Sequence, residues 1–384
     1  GGKRIPKGIG LINIPNGHPY IRVRDLNNKR LLELDNSYEY VDNETQKVIS
    51  KYTVKAGDVV LSIVGTIGLV AIVGRTLDGA NLTENCVKLS SFHGVNRDFL
   101  YYYLRSDCGQ QEIRCGTVGA VQAKLPIKNI QNIAINLPDY TTQERIASLL
   151  LSIDRKIELN QKINDNLEQQ AVTYFQELYI NNANPMWQIG TISDLGTVVG
   201  GSTPSKTKPE YYTNNGIAWI TPKDLSINKS KFISHGENDI TELGLKNSSA
   251  TVMPKGTVLF SSRAPIGYIA IASNEVTTNQ GFKSVVPYLE IGTAFVYFFL
   301  KHSLPVIESA ASGSTFKEIS GSAMKNIPAI IPDRSTLDQF NSFCAPIFAQ
   351  QKILEDQNYS LAMLRDSLLP KLMSGAIDIA SIQL

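Results

Sequence analysis

From Thr141 to about Tyr179, apolar side chains recur at Ile146, Leu149, Leu150, Ile153, Ile157, Ile163, Leu167, Ala171, Tyr174, Phe175 and Leu178. From Ser335 to about Met373 the pattern returns at Leu337, Phe340, Phe343, Cys344, Ile347, Leu354, Leu361, Leu364, Leu368 and Leu372. A mean spacing of about 3.5 residues marks a helix with one apolar face that packs along another helix. Thr141-Thr142-Gln143-Glu144 predicts a hydroxyl cap and an acidic first turn for the first helix. Pro346, in the opening turns of the second, predicts a late start or a bend. At about 1.5 Å per residue each helix spans roughly 50 Å. One-faced helices of that length do not stand alone in water. The expected solution is an antiparallel pair. Its seam takes Ile146, Ile153, Ile157 and Leu167 from one helix and Phe340, Ile347, Leu354, Leu361 and Leu368 from the other. Asn160 and Asn164 break the seam of the first helix, and Asn164 and Asn358 stand at matching places in the two copies, where a polar seam residue fixes register.

Ahead of each helix the period shortens. Val59 to Val64 and Val258 to Phe260 are apolar runs of strand length bounded by glycine, and Leu69 to Val73 and Tyr268 to Ile271 follow after a glycine turn. Arg97–Arg105 and Thr293–His302 carry aromatics at helical spacing. These segments are copies of each other. Ile21-Arg22-Val23-Arg24-Asp25-Leu26 returns as Ile220-Thr221-Pro222-Lys223-Asp224-Leu225, Thr66-Ile67-Gly68 as Pro265-Ile266-Gly267, and Ile133 to Pro138 as Ile327 to Pro332. So long a period is a domain duplication, not a solenoid. The expected fold is α+β: two similar β-rich domains, residues 1–138 and 183–332, and two long helices, 139–182 and 333–376, before a tail at 377–384. The copies match from Gly1-Gly2 against Gly200-Gly201, and only the second has a lead-in, the strand-like Trp187 to Val199. By repeat arithmetic the natural chain is expected to hold roughly 15–20 further residues at its N-terminus.

Composition narrows the chemistry. The chain's 384 residues carry a formal charge of +2. Residues 1–140 hold 17 Lys and Arg against 13 Asp and Glu, and 185–332 hold 12 against 10, while 141–184 and 333–384 each hold 4 against 6. The globular regions are therefore mildly basic, as suits an anionic ligand. Cys86, Cys108, Cys115 and Cys344 form no Cys-x-x-Cys pair, and His18, His93, His235 and His302 are scattered, so no zinc site is expected and the cysteines read as reduced thiols of a cytoplasmic protein. No segment is long and apolar enough for a membrane span. Gly65-Thr66-Ile67-Gly68 lacks the lysine of a Walker loop, and no Gly-x-Ser-x-Gly elbow occurs. Asn136-Leu137-Pro138-Asp139-Tyr140 differs in spacing from the Asn-Pro-Pro-Tyr loop of amino-methyltransferases. A two-domain chain without a catalytic constellation reads as a binding protein.

The run Gly57-Asp58-Val59-Val60-Leu61-Ser62, the Ile67-Gly68 turn, the Leu137-Pro138 ending and the helix start Gln143-Glu144-Arg145-Ile146 are repeated in order, each copy leading into a long helix. In this the chain resembles, over nearly its whole length, the specificity subunits of type I restriction-modification enzymes. The second copy is looser, with Leu337-Asp338-Gln339-Phe340 at the helix start. The resemblance implies that each domain is a target recognition domain reading one half of a bipartite double-stranded DNA site, with the helices as spacer. It implies a complex with two methyltransferase subunits, which carry the S-adenosylmethionine chemistry, and with restriction (translocase-nuclease) subunits. This chain would bind no cofactor and catalyse nothing. Half-sites about one DNA turn apart suit a gap of about 5–8 unspecified base pairs. Two other readings stand beside it: the recognition region of a fused methyltransferase, and a coiled-coil adaptor binding only proteins.

Phosphates are held by Lys, Arg and small polar donors, while bases are read by Arg or Lys on guanine and Asn or Gln on adenine. The candidates are polar loop residues present in both copies. Lys3, Arg4 and Lys7 match Ser202, Thr203, Lys206 and Lys208; Arg22 and Arg24 match Thr221 and Lys223; Thr66 lies against the neighbourhood of Arg263. Thr83-Glu84-Asn85 with Lys88 matches Thr278-Asn279-Gln280 with Lys283, and Gly116-Thr117-Val118 with Gln122 and Lys124 matches Gly313-Ser314-Thr315 with Lys317. The matched positions differ, so the two half-sites are expected to differ. Tyr20 and Trp219, beside corresponding strands, are expected to pack in the core.

Overall fold

The computed structural model describes residues 1–27, 29–119, 121–313 and 317–379. It divides into two compact units, Gly1–Ile157 with Ser360–Leu384, and Glu158–Tyr359.

In the first unit, Val59–Ser62 lies antiparallel to Val70–Val73 on one side and Cys86–Leu89 on the other, with Leu31–Leu32 parallel to Val70–Val73 at the edge. Alternation along the central strand serves two cores. Val59 and Leu61 face Phe99, Tyr102 and the start of the first long helix. Val60 faces Ile21, Leu26 and Leu77. Both faces being covered, the strand reads as an unbroken apolar run. A second sheet orders Glu39–Tyr40, Pro19–Ile21 and Asn81–Leu82.

The second unit repeats this plan. Val258–Ser262 is flanked by Ile266–Ala272 and Lys283–Pro287, with Phe232–Ile233 at the edge. Ile217–Ile220 pairs with Asn238–Ile240 and Thr277–Thr278. The lead-in is two strands around a helical turn: Gln188–Thr191 pairs with Pro328–Ile331, and Gly196–Gly200 joins Lys283–Pro287. The helices Arg97–Arg105 and Thr293–His302 cover the larger sheets, which explains their aromatic spacing.

The long helices run Tyr140–Phe175, continued by a π-type turn to Asn181, and Arg334–Met373. Their caps correct the sequence reading. Asp139 accepts from the Thr142 amide at 3.0 Å and Asp333 from the Thr336 amide at 2.9 Å, so an aspartate after proline starts both helices, not a threonine. The second helix starts without delay and continues through the exposed Pro346. In the second unit the two helices are antiparallel: Tyr174 meets Phe343, Gln351 Nε2 reaches the Asn164 carbonyl at 3.2 Å, and Asn160 Nδ2 reaches Asn358 Oδ1 at 2.9 Å. Of the two asparagines expected to break the seam, Asn160 forms the side-chain rung with Asn358, while Asn164 meets the other helix through its carbonyl. Phe340, Ile347 and Leu354 are buried and Leu167 half-buried here. In the first unit Ile146 and Ile153 are buried, and Ile157, Leu361 and Leu368 half-buried. Ile163 and Leu364 lie off the seam, more than a third exposed, and Phe343, as exposed, meets Tyr174 at the seam's edge. Among the described residues no helix is long and apolar enough to cross a membrane.

Candidate nucleic-acid interface

Backbone hydrogen bonds define where equivalent residues fall. The Lys3 amide donates to the Leu82 carbonyl at 2.8 Å, and the Ser202 amide to Thr278 at 2.9 Å. Thr83 donates to Ile21, and Asn279 to Ile220, both at 3.0 Å. Tyr20 OH and Trp219 Nε1 donate to the carbonyls of Lys3 and Ser202, at 2.9 and 3.0 Å. Both rings are buried, as expected. Arg4 therefore stands where Thr203 stands, Thr83 where Asn279 does, Glu84 where Gln280 does, and Asn85 where Gly281 does. The sequence pairing of Thr83-Glu84-Asn85 with Thr278-Asn279-Gln280 was one residue out of step.

Two further matches shift in the same way. Val59 pairs with Leu89 and Val258 with Val285, so Lys88 corresponds to Ser284 and Val87 to Lys283. The bridges Val118–Lys124 and Ser312–Glu318 are equivalent, which sets Gly119 against Gly313 in place of Gly116. Val64 bridges Lys124 as Arg263 bridges Glu318, so Arg263 takes the place of Val64. Thr66 takes that of Pro265: in each unit a serine hydroxyl, Ser62 or Ser261, donates to that residue's carbonyl, at 2.6 and 2.8 Å, and accepts from an amide seven positions along.

In the second unit the candidates converge. Thr203, Lys206, Thr221, Lys223, Arg263, Asn279 and Gln280 line one cleft of about 860 Å³, backed by Tyr212 and Trp219. Thr203 and Gln280 share a hydrogen bond. Lys223 pairs with Glu237 at 2.5 Å and Arg263 with Glu318 at 3.3 Å. Thr221 caps the helix Pro222–Ile227, its Oγ1 2.6 Å from Asp224, so its hydroxyl is engaged. Ser202 contributes its carbonyl to Trp219, Lys208 lies over the Tyr211 ring, and Lys283 approaches Glu318 at 3.8 Å. Lys317 is exposed. Ser314 and Thr315 lie outside the described residues.

In the first unit the corresponding face is more highly charged. Arg4 Nε pairs with Glu84 at 2.5 Å, and Arg24 with Glu39 at 2.6 Å, as Lys223 pairs with Glu237 from the neighbouring register position, Glu39 itself falling on Asn238. Arg22 also pairs with Glu39, and its amide donates to Asp25 at 2.7 Å as Thr221 donates to Asp224 at 2.7 Å. Burial raises the Glu84 carboxyl's pKa, but the hydrogen bond from Arg4 and other donors outweigh it and hold it below its ordinary value. Lys3, Lys7, Thr66, Gln122 and Lys124 are exposed and Asn85 half-buried. Lys88 donates to the Thr53 carbonyl at 2.8 Å, and Thr117 to Ile113 at 2.7 Å, so both are tied to the backbone. The acidic partners Glu39, Glu84 and Glu237 were missed from sequence, because a search for cations passes over the carboxylates that position them. Among the described residues no group of histidine, cysteine and acidic side chains is arranged to hold a metal.

A family model, the type I restriction modification DNA specificity domain, matches residues 1–169 and again 184–356. The chain belongs to that family. It is 43% identical to the type I restriction enzyme MjaIX specificity subunit of Methanocaldococcus jannaschii over 162 residues, 42% of this chain and 37% of that protein. It is 23% identical to the HindI specificity subunit of Haemophilus influenzae, over 69% of this chain and 73% of that one. The match thus spans little over a third of the first relative and nearly three quarters of the second. Among solved structures, the type I restriction-modification system S subunit from M. genitalium shares the fold, with a TM-score of 0.53 and 17% identity over 97% of this chain and 92% of that one. Two copies of the specificity domain account for the duplicated framework.

Proposed function

We propose that this specificity-family chain is the DNA-recognition subunit of a type I restriction-modification enzyme. Each compact unit reads one half of an asymmetric bipartite site in double-stranded DNA. The long helices set the gap and dock two methyltransferase subunits, with restriction subunits joining that complex. S-adenosylmethionine chemistry belongs to the methyltransferase, and this chain is non-catalytic. The observation carrying the reading is that one backbone framework, repeated in a twice-matched specificity domain, presents different polar side chains at equivalent places in its two copies. The fused-methyltransferase and adaptor readings draw no support from the relatives, which are named as specificity subunits.

Co-expression with a methyltransferase subunit, followed by single-molecule sequencing of modified adenines, tests this. An asymmetric bipartite motif with a fixed gap is expected. A complex that assembles and leaves DNA unmodified overturns the reading.

A further inference from the structure

Arg4–Glu84 and Thr203–Gln280 occupy the same place in the two units and differ in chemistry. Both pairs are built alike. The segment ending in Arg4 or Thr203 lies so close to its neighbour that a Cβ on Gly2 would fall 2.0 Å from the Thr83 carbonyl oxygen, and one on Gly201 would fall 2.0 Å from that of Asn279. Tyr20 and Trp219 hold the preceding carbonyl in each unit. The framework is constant and only the presented pair changes. In the first unit the pair is ionic: Arg4, 79% exposed, uses Nε for Glu84, a bond that engages the side edge of its guanidinium and not the end-on fork of its two terminal amino groups. In the second it is neutral, Thr203 hydrogen-bonded to Gln280 at the rim of the cleft.

We propose that these pairs are single-base-pair readers: Arg4–Glu84 selects G·C in one half-site, and Thr203–Gln280 selects A·T at the corresponding position of the other. In the major groove guanine offers two acceptors and cytosine one amino donor, which a fork of Arg donors beside a Glu acceptor complements. Adenine offers an acceptor and a donor, which one Gln amide satisfies together, and thymine offers a methyl group that the Thr methyl can meet. Against A·T the Arg fork would meet the adenine amino group and the carboxylate the thymine O4, and against guanine the Gln amide oxygen would meet an acceptor; each leaves donor facing donor or acceptor facing acceptor, which is the source of discrimination.

The inference rests on the DNA-recognition reading, and the test separates the two. The full chain is assembled with methyltransferase subunits as wild type, as R4T/E84Q and as the reciprocal T203R/Q280E, and methylated motifs are mapped. R4T/E84Q is expected to convert one G·C to A·T in one half-site and leave the other half intact. T203R/Q280E is expected to do the opposite in the other half. Preference at the altered position should move roughly 10- to 100-fold. If either variant fails to assemble, the other decides. Assembled variants that keep the wild-type motif, or that lose specificity in both halves, overturn the inference alone. A wild-type complex with no bipartite motif overturns the functional reading and this one with it.

Discussion

Lys231 carries its charge into the interior of the second unit. Only 8% exposed, its Nζ meets Glu168, lies 2.6 Å from Gln351 Oε1, and sits over the Phe348 ring at 4.2 Å. Glu168 also takes Lys301 at 2.6 Å. Burial pushes the Glu168 carboxyl up, but Lys231 and Lys301 outweigh it and hold it below its ordinary value of 4.5. A carboxyl with a depressed folded pKa adds stability that is complete above its unfolded value and is lost as pH falls through the folded one. Glu168→Gln should therefore lower stability at neutral pH by about 2–4 kcal/mol, since it leaves a buried ammonium without its counter-charge. It should also flatten the fall in stability below pH 4.5. Thermal melts across pH 3–7 check both; parallel curves for variant and wild type would refute the coupling. None of this cluster was legible in the sequence, because Lys231, Glu168 and Gln351 are distant along the chain and only the tertiary fold brings them together. By contrast Asp139 and Asp333 were legible in principle, since each follows a proline and precedes a helical pattern; at the first helix the neighbouring threonines drew the cap assignment away.

Among elements, the long helices and the central strands were read almost to the residue, because burial imposes the period that the sequence displays. The equivalences between recognition loops were not. Ladder register is set by hydrogen bonding between strands, while loop lengths differ between the copies, so matching by residue likeness put Lys88 with Lys283 although the ladder puts Lys88 with Ser284. The helices carry their own prediction. At about 1.5 Å per residue, 36 and 40 residues run roughly 54 and 60 Å. Adding one turn to each should widen the gap in the methylated motif and leave both half-sites unchanged. Motif mapping on the lengthened chain checks this, and an unaltered gap would show that the helices do not act as the ruler.

At the level of the whole molecule, charge is spread thinly. A net charge of +2 is small, and on the candidate faces Arg4, Arg22, Arg24, Lys223 and Arg263 each already have a carboxylate partner. Counterion replacement around DNA then falls to the exposed lysines of these faces, such as Lys3, Lys7, Lys124 and Lys317, in a chain of small net charge. The isolated chain should therefore bind random-sequence duplex weakly, with a shallow dependence on salt. The complex with methyltransferase subunits should bind more tightly, its log–log salt slope growing by about 0.9 for each added phosphate contact. Titrations at two or more salt concentrations measure both slopes, and tight, steeply salt-dependent binding by the isolated chain would contradict the expectation.

The sequence repeat and the folded unit do not coincide. The first unit takes residues 1–157 from one copy and 360–384 from the other, where Ile146 and Leu150 share a core with Leu372 and Met373. The second likewise joins 158–175 to the helix that begins at Arg334. A polypeptide with a single copy could not close either core by itself. It would have to lend its helix to a second molecule and borrow one in return, as domain-swapped dimers do. This duplicated chain supplies both sides of that exchange in one covalent strand. With both copies on one strand, equivalent places need not carry equal side chains, as Arg4–Glu84 and Thr203–Gln280 show.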